Sequence, residues 1–462
     1  MPSHQSTNAA CADMDTSRFV SGLTPPLVDS IDALKISNFV PTRSGHPPPG
    51  SVPESILPEG VKKPALFQTL TLPFAAPEQA GKMTFKNRII VSPMCQYSAN
   101  NGLPTPYHIA HLGSFALHGV GNVMVEASGV EPEGRITPQD LGIWSEQHRD
   151  AHKALVSVLK SFTDGLGVGL QLAHAGRKAS DWSPFYRGEK KQKFVTQEEG
   201  GWPDRVVAPS AIAYAQGHVT PRALTTEDIN KLQDKFVQSA RWAFEAGYDY
   251  VELHSAHGYL MHSFLSPLTN QRTDEYGGSL ENRARFLLNV ARRIRQEFPN
   301  KGLWVRVSST DWADQAHQAD SWTVDQTVEL AKMLQEARVD LLDVSSGGLV
   351  PFQKITVGAG YQLFGAKAVR DALAKIEPDA SKRMLVGAVG MMEGSYDSPN
   401  GQDRSQIGKL AEQSIQSGEC DAVLLARGLM SYPSWTEDAS VALMGTRAAG
   451  NPQYHRVHVA KK

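Results

Sequence analysis

Short apolar runs alternate along most of this chain with segments of helical period. The runs are Arg88-Ile89-Ile90-Val91, Val123-Met124-Val125, Val168-Gly169-Leu170-Gln171-Leu172, Tyr250-Val251-Glu252-Leu253, Leu303-Trp304-Val305-Arg306-Val307, Leu341-Leu342-Asp343-Val344, Met384-Leu385-Val386-Gly387 and Ala422-Val423-Leu424-Leu425. Near-continuous apolar strands separated by helices predict a parallel sheet covered on its outside. Eight β-then-α units predict an α/β fold of the (β/α)8 TIM-barrel class. A doubly wound open sheet is the alternative, but no Gly-x-Gly-x-x-Gly turn follows the first run. A polar or small residue ends nearly every run: Ser92, Glu126, His174, His254, Ser308, Ser345, Gly387 and Arg427. These are the C-terminal strand ends, where barrels place their chemistry.

Two segments break the alternation. Residues 1–62 are rich in Ser, Pro and Thr and read as an N-terminal extension, disordered or wrapped on the surface, because they offer little apolar area to offset ordering entropy. Residues 63–462 then form the barrel. After Lys178 a polar stretch, about 179–225, carries Trp182, Tyr186 and Trp202 among several Pro and Gly. A connection this long after the third strand predicts a capping insertion over the barrel mouth.

Composition narrows the function classes. Charged residues are 20% of the chain and the net charge is −2, which excludes a general nucleic-acid binder. Three cysteines, Cys11, Cys95 and Cys420, argue for a reducing compartment, with the cytoplasm as the expected location. No apolar stretch approaches the ~18–20 residues that span a bilayer.

The densest chemistry lies in Val251-Glu252-Leu253-His254-Ser255-Ala256-His257-Gly258-Tyr259. Imidazole N–H groups can hold a carbonyl oxygen while charge builds on it, and a phenol can donate a proton to carbon. Satisfied core histidines or a metal site are the other readings, although the chain has no His-Glu-x-x-His helix. Cys95 follows the first run directly, without an evident base beside it. It reads as a small buried group, as a nucleophile, or, in the absence of a base, better as a thiol tuning a bound cofactor. Gly387-Ala388-Val389-Gly390 and Ala426-Arg427-Gly428 close the last two strands, where barrels bind phosphate through backbone N–H groups. Arg306, a cation inside an apolar strand, requires a partner. It is either a buried ion pair with Asp343 or Glu252, or a positive charge beside a cofactor that becomes anionic on reduction.

These residues name a resemblance. From about Leu66 to Arg456 the chain resembles the Old Yellow Enzyme family of FMN-dependent ene reductases, in its thermophilic-like branch. The resemblance is carried by Ser92-Pro93-Met94-Cys95-Gln96-Tyr97, Gln171-Leu172-Ala173-His174-Ala175-Gly176-Arg177-Lys178, and the stretch from His254 to Arg283 that includes Arg272-Thr273-Asp274-Glu275-Tyr276-Gly277-Gly278-Ser279. It implies FMN at the barrel mouth and NADPH or NADH as donor. Ser92, Pro93, Met94, Cys95, Ala127 and Gln171 would contact the isoalloxazine, and Arg306 its N1–O2 edge. Ala426 and Arg427, with Gly387 and Gly390, would hold the phosphate. His254 and His257 would bind the substrate oxygen and Tyr259 would donate the proton, with Tyr97 and Lys178 beside the substrate. Arg456 would reach a neighbour's pocket, which implies a homodimer or dimer-built tetramer.

The implied reaction is NAD(P)H-driven reduction of a small activated alkene, an α,β-unsaturated carbonyl, with no metal, nucleic acid or membrane partner. A barrel flavoenzyme acting on quinones or nitro compounds, or a non-catalytic flavin-binding scaffold, are the rivals. The Arg272–Arg283 run itself reads as structural, with Gly277-Gly278-Ser279 turning the chain and capping a helix.

Overall fold

The computed structural model describes residues 46–76, 81–186, 193–313, 317, 320–394, 404–454 and 456. The eight expected strands are present: β1 (Ile89–Val91), β2 (Asn122–Gly129), β3 (Gly167–Ala173), β4 (Tyr250–Ser255), β5 (Gly302–Ser308), β6 (Leu341–Ser345), β7 (Leu385–Ala388) and β8 (Ala422–Leu425). They pair in parallel and in sequential order, and β8 meets β1 through Val423 and Ile89 to close the barrel. A helix follows each strand: α1 (Pro106–Leu117), α2 (Glu146–Phe162), α3 (Thr226–Glu245), α4 (Leu280–Glu297), α5 (Val324–Glu336), α6 (Leu363–Ile376), α7 (Lys409–Gln416) and α8 (Trp435–Met444). The starts of α3 and α4 are set by side chains that accept orphan backbone N–H groups. Thr225 accepts from Asp228, and Ser279 accepts from Asn282 as expected of the Arg272–Arg283 run.

Alternation along the strands separates two interiors. Val251, Leu253, Val305, Val307, Leu342 and Val344 face outward into the core shared with the helices. Their neighbours Tyr250, Trp304 and Leu341 face inward and form a second apolar cluster with Leu70, Leu72 and Phe85. The last three come from a short antiparallel hairpin, Leu70–Thr71 with Thr84–Phe85, that precedes the barrel. Tyr250 and Trp304 stack at 3.8 Å, and the Phe85 ring meets both edge-on. Asp340, at the start of β6, accepts from the amides of Phe74 and Ala75 and pairs with Arg295, so the hairpin is pinned to the N-terminal end of the barrel. Burying three aromatic side chains there stabilises this end by roughly 1.5–3 kcal/mol each.

β2 runs four residues beyond its apolar stretch. Glu126, Ala127 and Ser128 are buried despite their polar or small character, and the register slips between Val125 and Ser128. A bulge re-aims side chains at a rim, so the strand continues where its hydrophobic pattern stops. Residues 46–62 lie against the lower end: Gly50 N donates to Ala449 O (2.7 Å), Asn87 Nδ2 donates to Gly50 O (3.2 Å), and Val52 is buried. The rest of the N-terminal extension lies outside the described residues.

The stretch after Lys178 forms two short parallel strands, Val207–Ala208 and Arg222–Ala223, and a small buried cluster of Ala175, Ala179, Trp202 and Val206 on which Tyr259 packs. Arg272 donates to the carbonyls of Pro209 and Leu224, tying this stretch to the loop after β4. Among the described residues, no helix is long and apolar enough to cross a membrane.

Candidate active site

The inward residues change character toward the C-terminal end of the barrel. Above the apolar plug, two residues further along their strands, stand Glu252, Arg306 and Asp343, with Gln171 beside them on β3. Arg306 Nε lies 3.0 Å from Asp343 Oδ2, so the expected partner is Asp343. Gln171 Nε2 donates to Glu252 Oε1 at 2.7 Å. One guanidinium serves two fully buried carboxyls, and burial raises both above the ordinary carboxylate range, Glu252 being raised further by the charge of Asp343. Asp343, against the guanidinium, keeps the charge, and Glu252 holds a proton at neutral pH. Glu252 Oε2 and both Asp343 oxygens are buried without a hydrogen-bond partner, and no described residue accepts from the Nη groups of Arg306.

One more step along β4 brings His254, and the chain then turns sharply. His257 has φ of +58° and Gly258 has φ of +75°. A left-handed histidine costs about 1–2 kcal/mol, and a Cβ at Gly258 would collide with the Gly348 carbonyl. The turn is held from every side. His257 N donates to Ser308 Oγ (3.0 Å), whose hydroxyl donates to Gly347 O (2.8 Å). Lys178 Nζ donates to the carbonyls of His257 (2.9 Å) and Gly348 (2.6 Å). Gly258 N donates to His262 Nδ1 (2.9 Å), and His262 Nε2 faces Asp311 at 3.1 Å with both side chains fully buried. His262 and Asp311 gave no functional signal in the sequence, because their pairing joins segments far apart in the chain, and Ser308 was marked only as a strand-end residue.

The result is a cluster of three rings. The His254 ring lies 5.3 Å from that of His257 and 4.9 Å from that of Tyr259. Ala256 N donates to His254 Nδ1 (3.4 Å), which leaves Nε2 to carry the proton. His257 Nε2 meets Ser345 Oγ at 2.8 Å. Burial, and then the charge of Arg306, holds both imidazoles well below the ordinary histidine range, so both are neutral N–H donors. Burial holds the Tyr259 phenol well above its ordinary value, with Cys95 the next contributor, so it keeps its proton until a stronger base forms beside it.

Cys95 and Tyr97 rise from the loop after β1. Ser92 N donates to Leu425 O (2.8 Å), and Glu126 Oε1 accepts from Gln96 N (3.1 Å), which ties this loop to β8 and to the extended end of β2. Pro93, Met94 and Cys95 are half-buried, and Ala127 stands beside the loop on β2. Tyr97 is left-handed (φ +52°) and meets Phe185 edge-on at 5.9 Å. Burial, then the nearby charges of Asp140 and Glu126, pushes the Cys95 thiol well up. It is a neutral thiol, not a nucleophilic thiolate. We therefore expect Cys95→Ala to retain FMN and to turn over, with its midpoint potential displaced by on the order of 30 mV, the equivalent of about 1.4 kcal/mol. Abolished turnover with full cofactor content would restore a covalent role.

At the far side, Gly387 lies within β7, where an added Cβ would press on Leu424 and Leu341, so its smallness serves barrel packing. Gly390 lies beyond the strand end, where its carbonyl accepts from Gly360 N. The amides of Ala426 and Gly428 converge on one oxygen, Oε1 of Glu393, at 3.0 and 3.1 Å, with the exposed Arg427 between them in sequence. Arg456 is not brought to this cluster. The neighbouring Tyr454 ring rests on His118, just beyond the end of α1 and therefore at the opposite end of the barrel.

Comparison with known proteins shows the family of the chain. Residues 74–442 match the model of the NADH:flavin oxidoreductase / NADH oxidase family. The chain is 43% identical over 360 residues to NADH:flavin oxidoreductase FG08077 of Gibberella zeae, covering 76% of this chain and 81% of that one. It is 39% identical over 376 residues to NADPH dehydrogenase of Bacillus subtilis, covering 81% and 96%. Among solved structures, morphinone reductase superposes with a TM-score of 0.60 at 23% identity, over 85% of this chain and 93% of that one, and shares the fold. The chain belongs to the NADH:flavin oxidoreductase / NADH oxidase family, the Old Yellow Enzymes. It is an oxidoreductase that uses FMN and takes electrons from NAD(P)H.

The residues present fit that cofactor. The unpartnered Nη groups of Arg306 suit the pole of a flavin that becomes anionic on reduction. The Glu393 carboxylate on the Ala426 and Gly428 amides marks a cradle for an anionic oxygen.

Proposed function

We propose that this protein is an ene reductase, which reduces the C=C bond of an α,β-unsaturated carbonyl compound. The observation that carries the reading is the neutral His254–His257 pair beside a protonated Tyr259, above the Arg306 floor. Two N–H donors suit an oxygen that becomes an enolate, and a phenol beside them suits the carbon that needs a proton. Bound FMN would supply the redox chemistry, the net transfer of a hydride from NAD(P)H to the β-carbon. His254 and His257 hold the substrate oxygen and stabilise the charge that develops on it. Tyr259 delivers its proton to the α-carbon and recovers one from solvent. Arg306 would hold the flavin pole, Ser92 to Cys95, Ala127 and Gln171 its ring system, and Ala426 and Arg427, with the loop at Gly390, the phosphate. Tyr97 flanks the substrate. Lys178 acts through the His257 turn that its ammonium fastens, and the stretch at 179–225 covers Lys178 with Tyr214, 4.4 Å above it.

Anaerobic mixing tests the reading. NADPH is expected to bleach the flavin, and a cyclic enone is expected to restore its colour with one equivalent of saturated ketone formed. Bleaching by NADPH followed by recolouring only with quinones or nitro compounds would sink it.

Tyr454, two residues before Arg456, rests at the opposite end of the barrel, so a site role for Arg456 calls for a second subunit. We propose a homodimer or dimer-built tetramer, in a reducing, cytoplasmic setting that suits the free Cys95 and Cys420. Truncation after Asn451 is expected to impair enone turnover and to alter the oligomeric state seen by light scattering. Unchanged values for both would make the tail solvated.

A further inference from the structure

The amides of Ala426 and Gly428 are the feature best placed to receive a phosphate oxygen, yet in this chain they already hold an anion. Both donate to the same atom, Glu393 Oε1, at 3.0 and 3.1 Å. A phosphate oxygen and this carboxylate oxygen cannot share one position, and two anions at that spacing repel. The segment that carries Glu393 is shaped for the contact. Met391 is left-handed (φ +54°), the Glu393 carbonyl accepts from Trp435 Nε1 (3.3 Å), and Gly394 follows with φ of +99° and open space where a side chain would stand. The backbone is thus anchored on α8 while the side chain alone reaches the amides, so the carboxylate can leave the cradle without moving a barrel strand.

We propose that Glu393 is an internal competitor for the FMN phosphate: its carboxylate holds the Ala426–Gly428 cradle and must be displaced for FMN to seat. The competition weakens FMN binding relative to a chain without this carboxylate and leaves the ring subsite untouched. It also keeps the two amides satisfied when FMN is absent, which protects the end of β8 from exposing unpaired donors. The inference rests on the phosphate being held at Ala426 and Arg427.

The experiment compares FMN with riboflavin, which lacks the phosphate. Flavin is removed from the full-length chain, and dissociation constants for both flavins are measured by fluorescence quenching at fixed ionic strength. The proteins are wild type, Glu393→Ala, Glu393→Gln and Arg427→Ala. Glu393→Ala is expected to tighten FMN about tenfold, equivalent to about 1.4 kcal/mol, with riboflavin within a factor of about two of wild type. Glu393→Gln is expected to move FMN in the same direction, since an uncharged amide competes less well for the two donors. FMN affinity unchanged or weakened in both Glu393 variants overturns the proposal, as does equal tightening of FMN and riboflavin. Arg427→Ala separates the two levels. If it leaves FMN affinity unchanged, the phosphate placement itself is wrong. If it weakens FMN while the Glu393 variants do not tighten it, only the competition is wrong. Thermal melting of each flavin-free variant verifies folding, and should one Glu393 variant fail to fold, the other decides.

Discussion

His254→Ala is expected to slow enone-driven reoxidation of the reduced flavin by about 10²–10³-fold, the usual cost of losing one preorganised donor to a developing oxyanion. Reduction by NADPH is expected to stay within a factor of a few, because no enolate forms in that half-reaction. His257→Ala is expected to behave alike, and the double variant to lose less than the product of the two, since both donors serve one oxygen. Stopped-flow measurement of each half-reaction separately checks this, and equal losses in both halves would assign the imidazoles a structural role. The pH profile gives an independent reading. Burial and the Arg306 charge lower both histidines, so acidifying through the ordinary histidine range leaves them neutral. The reoxidation rate is therefore expected to show no histidine inflection from about pH 8 down to about pH 6. A break near the ordinary value would mean that an imidazolium, and not an imidazole, polarises the substrate.

Arg306→Met removes the cation that lies 3.0 Å from Asp343 and leaves two buried carboxyls to share one site. Removing one partner of a buried pair typically costs about 3–5 kcal/mol, because the stranded charge can neither be solvated nor paired. We expect a loss of that order in urea unfolding at neutral pH, with wild type and variant both flavin-free so that cofactor binding does not enter the difference. FMN retention is expected to fall as well. Asp343→Asn in the Arg306→Met background is expected to recover part of the stability, since it removes the charge left behind. A single variant as stable as wild type would mean that the floor carries no ionised carboxylate.

The strands were legible because most are near-continuous apolar runs, and the charges inside three of them, Glu252, Arg306 and Asp343, fall at alternate, inward positions. Val251 and Leu253 face the helices while Glu252 and His254 face inward, so one stretch announces both a buried strand and a site. Arg306 read in the same way, and its partner Asp343 was among the two residues its strand required. The pattern failed where burial is polar. β2 continues through Glu126, Ala127 and Ser128, whose composition resembles a loop, because a bulge and the amide of Gln96 satisfy what hydrophobicity does not. Lys178 read as a residue near the substrate, yet its ammonium is engaged by two carbonyls from different loops. Glu393 was illegible, since its partners lie more than thirty residues away and no motif marks it.

The aromatic hairpin seal has a consequence for traffic. Phe85, Tyr250 and Trp304 stop the barrel at one end, so the site is reached from the opposite, C-terminal end. Under the proposed reading, the nicotinamide donor and the alkene would arrive from that end and compete for the same floor space, each spent molecule backing out before the next enters. Turnover is then expected to be a strict alternation of visitors, with a high concentration of either reactant slowing the chamber's service to the other.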